Sequence, residues 1–467
     1  MRPTRPPLHL SLVTRHSSLI PLLRKVVDVR PNEVRALLLA CLFNFVVLGS
    51  YYVIRPIRDD IAATSGAENL SWMFTGTLLV TLIANAAFSA TVAQMPRRKF
   101  LPAAYQFLIA NLIVFYFLMR HNPPAAQSVW IGRAFFVWLS VFNLFVVTLF
   151  WAFMTDLFDS EQAKRLFAFI AVGGQLGAIA GPLVTVSLVQ RIGAANLLLV
   201  AAAGLEIAPW CVKWFPTPAP SPAPNPRRRK MEQEQDYEQE KEKVAALNEE
   251  TRAEQPIGGG IIAAVSHVVR SPYLLGICLF MLLYAITTTF VYFQQADITR
   301  QHFHDRSART AFFAQLDLAV NTLTIFGQLL ITGRLLKWFG VGVTLAFLPV
   351  LSLIGFLGMG VWPTVGILAV FQVLRRAGNF AITRPAREVL FTVLRREDKY
   401  KAKSFIDTFV YRTGDQVGAW SYTLLTWLGL GMTGISFVAA PLAALWCGLC
   451  LWLGKRQAAM AEARPAG

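Results

Sequence analysis

Charged side chains recur inside stretches that are otherwise apolar, and these are the residues whose chemistry needs explaining. Arg55-Pro56-Ile57-Arg58-Asp59-Asp60 closes one apolar run, Glu206 lies near the middle of another, and Asp317 falls in the outer third of a third. Arg375, Arg376, Arg384, Arg387 and Glu388 crowd into a fourth run, and Asp407, Arg412 and Asp415 into a fifth. An Arg, Lys or Asp at mid-membrane costs about 2.5–3.5 kcal/mol on insertion scales, so such groups face a partner or a wet cavity. The set is biased towards arginine. Arg55 and Arg58, and likewise Arg384 and Arg387, share a helix face at i,i+3. Guanidinium forks match phosphate or carboxylate oxygens two at a time. The pattern therefore predicts a cavity for an anionic solute, with Arg55, Arg58, Arg375, Arg384, Arg387 and Arg412 as its cationic wall. Asp59, Glu206, Asp317, Glu388, Asp407 and Asp415 would supply exchangeable ion pairs or a proton relay. The competing reading is mutual neutralisation at helical spacing: Arg55 with Asp59, Arg384 with Glu388, Arg412 with Asp415. Arg375 has no such partner on its own helix, which makes it the leading candidate for a ligand contact.

The elements that must position these groups follow from composition. The chain has 467 residues, 55% of them hydrophobic and only 15% charged. A soluble domain runs near one quarter charged, and the apolar residues here gather in runs of about twenty, the length that spans a bilayer. Twelve spans emerge: 34–54, 70–93, 100–119, 128–153, 166–189 and 194–214, then 273–296, 311–333, 341–361, 364–392, 404–427 and 434–453. The fold expected is all-α, a polytopic membrane protein of twelve transmembrane helices in two pseudo-symmetric six-helix bundles of the major facilitator type. A cytoplasmic segment, 1–33, precedes a first bundle over 34–215, and a second bundle over 259–454 precedes a tail, 455–467. Between the bundles, 216–258 is rich in Pro and Ala, then basic (Arg227–Lys230), then acidic, then Gly258-Gly259-Gly260. Such a composition cannot bury a core and reads as a flexible charged linker.

Lys and Arg concentrate in the loops of one face: Arg24, Lys25, Arg30; Arg97, Arg98, Lys99; Lys164, Arg165; Arg334, Lys337; Arg395 to Lys403; Lys455, Arg456. By the positive-inside rule both termini and the linker are cytoplasmic, in a cell inner membrane. The net charge of +17 belongs to this asymmetry and excludes nucleic-acid binding as the main task. Arg15, His16, Arg24 and Lys25 interrupt any apolar core at the N-terminus, so no cleaved signal peptide is expected.

An internal repeat supports six plus six. Gly173-Gly174-Gln175-Leu176-Gly177-Ala178 returns 241 residues later as Gly414-Asp415-Gln416-Val417-Gly418-Ala419, and the same offset superposes the basic loop at Arg97–Lys99 on Gly333–Gly340. Two halves related by an axis along the membrane normal produce this. Gly173, Gly177 and Gly181-Pro182, one turn apart, allow close helix approach. They predict either a rocking contact between the halves or static packing, with Gly414 and Gly418 as counterparts. Pro182 should bend its helix and free a carbonyl near position 178. Cys41, Cys211, Cys278, Cys447 and Cys450 all lie in apolar runs and read as small hydrophobes, implying neither disulfide nor metal. His16, His121, His267, His302 and His304 sit at edges or loops. No GxxxxGK[ST] motif is present, so ATP hydrolysis within this chain is not the expected energy source.

Several segments resemble the ATP/ADP antiporter family of obligate intracellular bacteria and plastids: Arg55-Pro56-Ile57-Arg58-Asp59, Phe150-Trp151-Ala152-Phe153, Glu161-Gln162-Ala163-Lys164-Arg165-Leu166-Phe167 with the glycine stripe, and Lys399-Tyr400-Lys401-Ala402-Lys403-Ser404-Phe405-Ile406-Asp407 running into Arg412-Thr413-Gly414. The resemblance covers most of the membrane body. It implies nucleotide exchange by alternating access, with Arg58-Asp59 near phosphate and Lys401, Lys403 and Asp407 on the span-eleven signature. Asp415 departs from it: the family carries Lys after that glycine, and an acid there repels a polyphosphate unless Arg412 neutralises it.

The function expected is a secondary active transporter, without cofactor, moving an anionic, nucleotide-like or phosphorylated solute, acting as a monomer among membrane lipids. Proton-coupled transport of another small solute, with the arginines only pairing the acids, is one alternative. A non-transporting sensor or scaffold working through 216–258 is the other. An enzyme is not expected, because no nucleophile or metal spacing stands out.

Overall fold

The computed structural model describes residues 29–94, 97–121, 124–215, 271–394, 402–403 and 405–462. Lys401, most of the Arg395–Lys403 loop, the 216–258 segment and the ends of the chain lie outside the described residues. Within them the chain folds as twelve helices. In the first half these are α1 (Val34–Ser65), α2 (Ala67–Gln94), α3 (Arg97–Arg120), α4 (Ala125–Leu157), α5 (Ser160–Ile192) and α6 (Asn196–Trp214). The second half has α7 (Pro272–His302), α8 (Arg306–Leu330), α9 (Thr332–Val361), α10 (Val365–Leu390), α11 (Ile406–Trp427) and α12 (Met432–Glu462). Among the described residues nine of the helices are long and apolar enough to cross a membrane by length and composition; α2, α8 and α11 are not among the nine.

Local sequence sets several starts. Asp159 and Gln162 form a reciprocal capping box at α5. At α7 the Ser271 hydroxyl accepts from the Leu274 amide with Pro272 in the first turn, and Asp305 caps α8 by accepting from the Ala308 amide at 2.8 Å. Gly340 takes φ 70° and breaks α9 between a short first turn and the span expected at 341–361. One expectation is corrected. Arg55–Asp60 does not close the first helix: α1 runs on through Pro56 to Ser65, so these residues lie inside a continuous helix. Asp60 is neutralised there by Arg306 and Arg309 of the other half, and Asp59 by Arg55 and Arg58 of its own helix with a hydrogen bond from Tyr292, which lets the polar stretch stay buried.

The two halves are six-helix bundles of one design. α1 packs on α5 and α6 as α7 packs on α11 and α12, and α3 meets α6 as α9 meets α12. The glycines show why. A Cβ on Gly173 would lie 2.5 Å from the Cys41 carbonyl oxygen, and one on Gly181 the same distance from that of Gly49. In the second half a Cβ on Gly414 would meet Ala285 at 2.6 Å, with the Leu282 carbonyl at 3.3 Å, and one on Gly418 would meet the Cα of Ile286 at 3.0 Å. Gly177 likewise abuts the Phe45 carbonyl. Cys41 and Leu282, and Phe45 and Ile286, are each 241 residues apart, so the repeat holds on both sides of the contact. The glycine stripe is therefore a packing seam within each half, not a rocking surface between halves. What α5 does present to the other half is the carbonyl freed by Pro182: Asn321 on α8 donates to the Ala178 oxygen at 2.7 Å.

The halves meet through α2 with α11 and α5 with α8, around a centre built from α1, α4, α7 and α10. At the ends far from the chain termini, Asp60 accepts from Arg306 (3.2 Å) and Arg309 (2.6 Å). There too the Ser71 and Thr423 hydroxyls lie 2.8 Å apart, Thr75 donates to Gln416 at 3.0 Å, and Trp72 stands edge-on to Trp420. At the terminal ends the ion pairs join helices of one half: Glu33 with Arg165, and Glu388 with Lys403.

Candidate functional site

Three contiguous compartments form a passage, two of them between the halves and the third within the second half. The middle one, about 440 Å³, is bounded by Tyr52 and Arg55 of α1, Tyr284 and Gln295 of α7, Asn321 of α8, and Arg375, Arg376 and Arg384 of α10. A far compartment of about 370 Å³ shares Tyr51, Arg55, Asn143, Thr288, Tyr292 and Tyr411 with it, and adds Arg58, Phe74, Phe136, Arg412, Asp415 and Gln416. Towards the terminal ends a third, about 300 Å³, shares Tyr284, Asn379, Phe380, Arg384 and Tyr411 and adds Met281, Arg387 and Asp407. Seven arginines (55, 58, 375, 376, 384, 387 and 412) line this passage against two acids, Asp407 and Asp415. Its wall is cationic and rich in tyrosine.

Each guanidinium is held differently. Arg55 pairs with Asp317, reaching from one half into the other, and Arg376 binds the same Asp317 oxygen at 2.8 Å. Asp317 is fully buried, and its second oxygen has no hydrogen-bond partner. The helical Arg55–Asp59 pair expected from spacing is present only at 3.8 Å; Asp317 is the main partner. Arg58 sits 4.2 Å from the Phe136 ring centroid, a cation–π contact, and 3.9 Å from Asp59, which accepts from the Tyr292 hydroxyl at 2.9 Å.

Arg375 is 2% exposed. Its guanidinium donates to the hydroxyls of Thr288 (2.8 Å), Thr287 (3.2 Å) and Ser352 (3.2 Å), and stands over Tyr284. No carboxylate lies within 4 Å of it among the described residues. A buried charge satisfied only by neutral hydroxyls lacks its counter-charge.

Other placements depart from the sequence reading. The Arg384–Glu388 pair does not form: a π-helical turn, Asn379–Thr383, precedes Arg384, which stays exposed to the passage and makes no ion pair among the described residues. Glu388 instead pairs with Lys403 at 2.5 Å, at the terminal end, outside the three compartments. Arg387 pairs with Asp407 at 3.2 Å, where α11 also opens with a π-helical turn, Ile406–Val410. Arg412–Asp415 forms as expected, at 3.7 Å. Glu206 is not brought to the passage; Gln106 of α3 donates to both its oxygens at 2.8 and 2.9 Å on the bundle's outer face. Among the described residues no three of His, Cys, Asp or Glu gather as a metal site. The sequence reading missed Arg376 as the second holder of Asp317, the tyrosines, and Asn143. Tyr51, Tyr284, Tyr292 and Tyr411 all lie on helices that already carry charge, and that coincidence was the available signal.

These features are those of a secondary transporter, and the chain belongs to the Major Facilitator Superfamily, whose family model matches residues 37–394. Among curated proteins it is 20% identical over 445 residues to ADP,ATP carrier protein 1 of Chlamydia muridarum, covering 83% of this chain and 81% of that one, with the same figures for the Chlamydia trachomatis protein of that name. Among solved structures it superposes on a bacterial homologue of the iron transporter ferroportin in an inward-facing state (TM-score 0.59, 10% identity, 92% of this chain and 100% of that one). It also superposes on a POT family transporter in complex with a thioalcohol-conjugated peptide (TM-score 0.58, 12% identity, 91% and 96%). These likenesses establish the fold.

Proposed function

We propose that this protein exchanges anionic, nucleotide-like solutes across a cell inner membrane by alternating access, as a monomer with both termini in the cytoplasm. Arg375 carries the reading. A guanidinium removed from water, given only hydroxyl partners and set in the wall of a cationic passage, is completed by an oxyanion that arrives with the solute. Arg384, exposed beside it, extends the grip, and Arg55 and Arg376 become available as the solute competes with Asp317. The name of the Chlamydia relatives, ADP,ATP carrier, supports a nucleoside di- or triphosphate as the solute. The far-end contacts between halves correspond to a form open towards the cytoplasm. Because the one arginine α11 brings to the passage, Arg412, faces Asp415 on the same helix, the phosphates are assigned to α10.

The test is uptake of labelled ADP into proteoliposomes preloaded with unlabelled ADP, phosphate or organic anions. Exchange should be saturable and should need an internal anion. Arg375→Gln should lower kcat/KM for ADP by about 100-fold, as expected for a lost charge-assisted hydrogen bond in a dry site, and Arg375→Lys should recover only part of it. No uptake with any anion, beside an active control transporter, overturns the reading.

A further inference from the structure

The passage has two unspent groups of opposite sign, in adjoining compartments. Arg375, in the middle compartment, has hydroxyl partners and no acid. Asp415, in the far compartment, is the reverse: 8% exposed, it accepts no hydrogen bond among the described residues, and its one ion pair, Arg412, is at 3.7 Å, beyond hydrogen-bonding reach. Between them the walls change character. α10 supplies guanidiniums to the middle compartment; the far one also holds Arg58, stacked on Phe136 beside Asp59, and Arg412, facing Asp415, and is otherwise faced by Phe74, Tyr292 and the amides of Asn143 and Gln416. Phe136 already stacks a planar cation, the Arg58 guanidinium, at 4.2 Å, so that wall accepts flat π-systems.

Resting on the anion-exchange reading above, we infer that the cavity takes its solute in one orientation: the phosphates lie against Arg375 and Arg384, and a planar, nitrogen-bearing ring enters the far compartment, where Asp415 accepts a hydrogen bond from its amino group. Asp415 gives the ring donor a charged acceptor, while the guanidiniums of the far compartment keep partners of their own: Arg58 with Phe136 and Asp59, Arg412 with Asp415. Asp415 is thus a specificity-determining residue. The discrimination comes from the penalty of leaving a buried carboxylate without its donor when the ring lacks one.

The experiment compares three competitors of labelled ADP exchange in proteoliposomes: unlabelled ADP, purine riboside 5′-diphosphate (which has neither the amino group nor a ring N–H) and pyrophosphate. In the unaltered protein, ADP should compete about tenfold better than purine riboside diphosphate, and both better than pyrophosphate. Asp415→Leu should bring the two nucleotides to within about twofold of one another, and Asp415→Asn, which keeps an acceptor oxygen, should stay between. The ratio is read within each variant, so a smaller folded fraction cancels. Equal competition by the two nucleotides in the unaltered protein, or an unchanged ratio in Asp415→Leu, overturns the orientation. Pyrophosphate competing as well as ADP does so too, while leaving the anion reading intact; if none of the three exchanges, that reading falls as well.

Discussion

The two ends of the inter-half interface are built on different rules. At the far end, ion pairs and hydrogen bonds cross between halves: Asp60 with Arg306 and Arg309, Ser71 with Thr423, Thr75 with Gln416. At the terminal end the strong pairs among the described residues stay at home, Glu33 at the start of α1 with Arg165 of α5, and Glu388 of α10 with Lys403 just ahead of α11. A contact that crosses halves resists their separation, whereas one within a half only stiffens a moving body. The difference says which end is closed and which charges must let go during a transport cycle.

The strongest way to break this contrast is to weld the far end. Ser71→Cys with Thr423→Cys, in a background with the native cysteines replaced, should cross-link on oxidation, since the two hydroxyls lie 2.8 Å apart. Exchange should fall to background and return with reductant. Glu161→Cys with Lys403→Cys, at the terminal ends of opposite halves, should not cross-link in the absence of solute. Formation of that second bond would contradict the closed-far-end geometry.

A smaller effect is expected from Asp60→Asn, which leaves Arg309 facing an amide. The far end should lose of order 3 kcal/mol, the low end for a buried pair because Arg306 is half in solvent. That appears as a lowered thermal midpoint in detergent and faster labelling of a cysteine placed at Thr423.

Glu33→Gln probes the terminal end. Burial works to raise this carboxyl, but hydrogen bonds from Arg165, the Arg30 amide and Gln162 outweigh it and hold it below the usual carboxylate range. A group with a lowered folded pKa stabilises at neutral pH and loses that contribution as the pH falls below the free value of 4.5. The variant should be about 1–2 kcal/mol less stable at pH 7, with the gap to the unaltered protein closing towards pH 4 and transport hardly changed. Smallest of all, Arg30→Ala removes a pair with Glu161 whose side chains are 61% and 69% exposed, and should lower the stability measured in detergent by less than about 0.5 kcal/mol.

Helix positions, the doubled architecture and the cationic wall were legible in the sequence, because apolar run length, the 241-residue offset and the sign of buried charge are all one-dimensional. Partnership was not. Spacing offers only same-helix neighbours, so it proposed Asp59 for Arg55 and Glu388 for Arg384, when the partner of Arg55 is 262 residues away on α8 and Arg384 keeps none among the described residues. Glu206 shows the same limit from the other direction. Its place mid-helix was right, but which face it occupied depended on Gln106, 100 residues earlier. The glycines were read correctly as a close-approach surface; whether that surface met its own half or the other was not written in the stripe itself.

The π-helical turn at Asn379–Thr383 fixes an angular phase. Arg375 and Arg384 are nine residues apart. In an uninterrupted α-helix, at about 100° per residue, they would point in opposite directions. The wider turn takes up an extra residue and swings the second arginine back by roughly a quarter of a circle, towards the first. Straightening this turn into regular α-helix, with no residue removed, would rotate Arg384 and Arg387 by about 100° relative to Arg375. A one-codon deletion there would be the milder change, because eight residues of plain α-helix return Arg384 to almost the same angle.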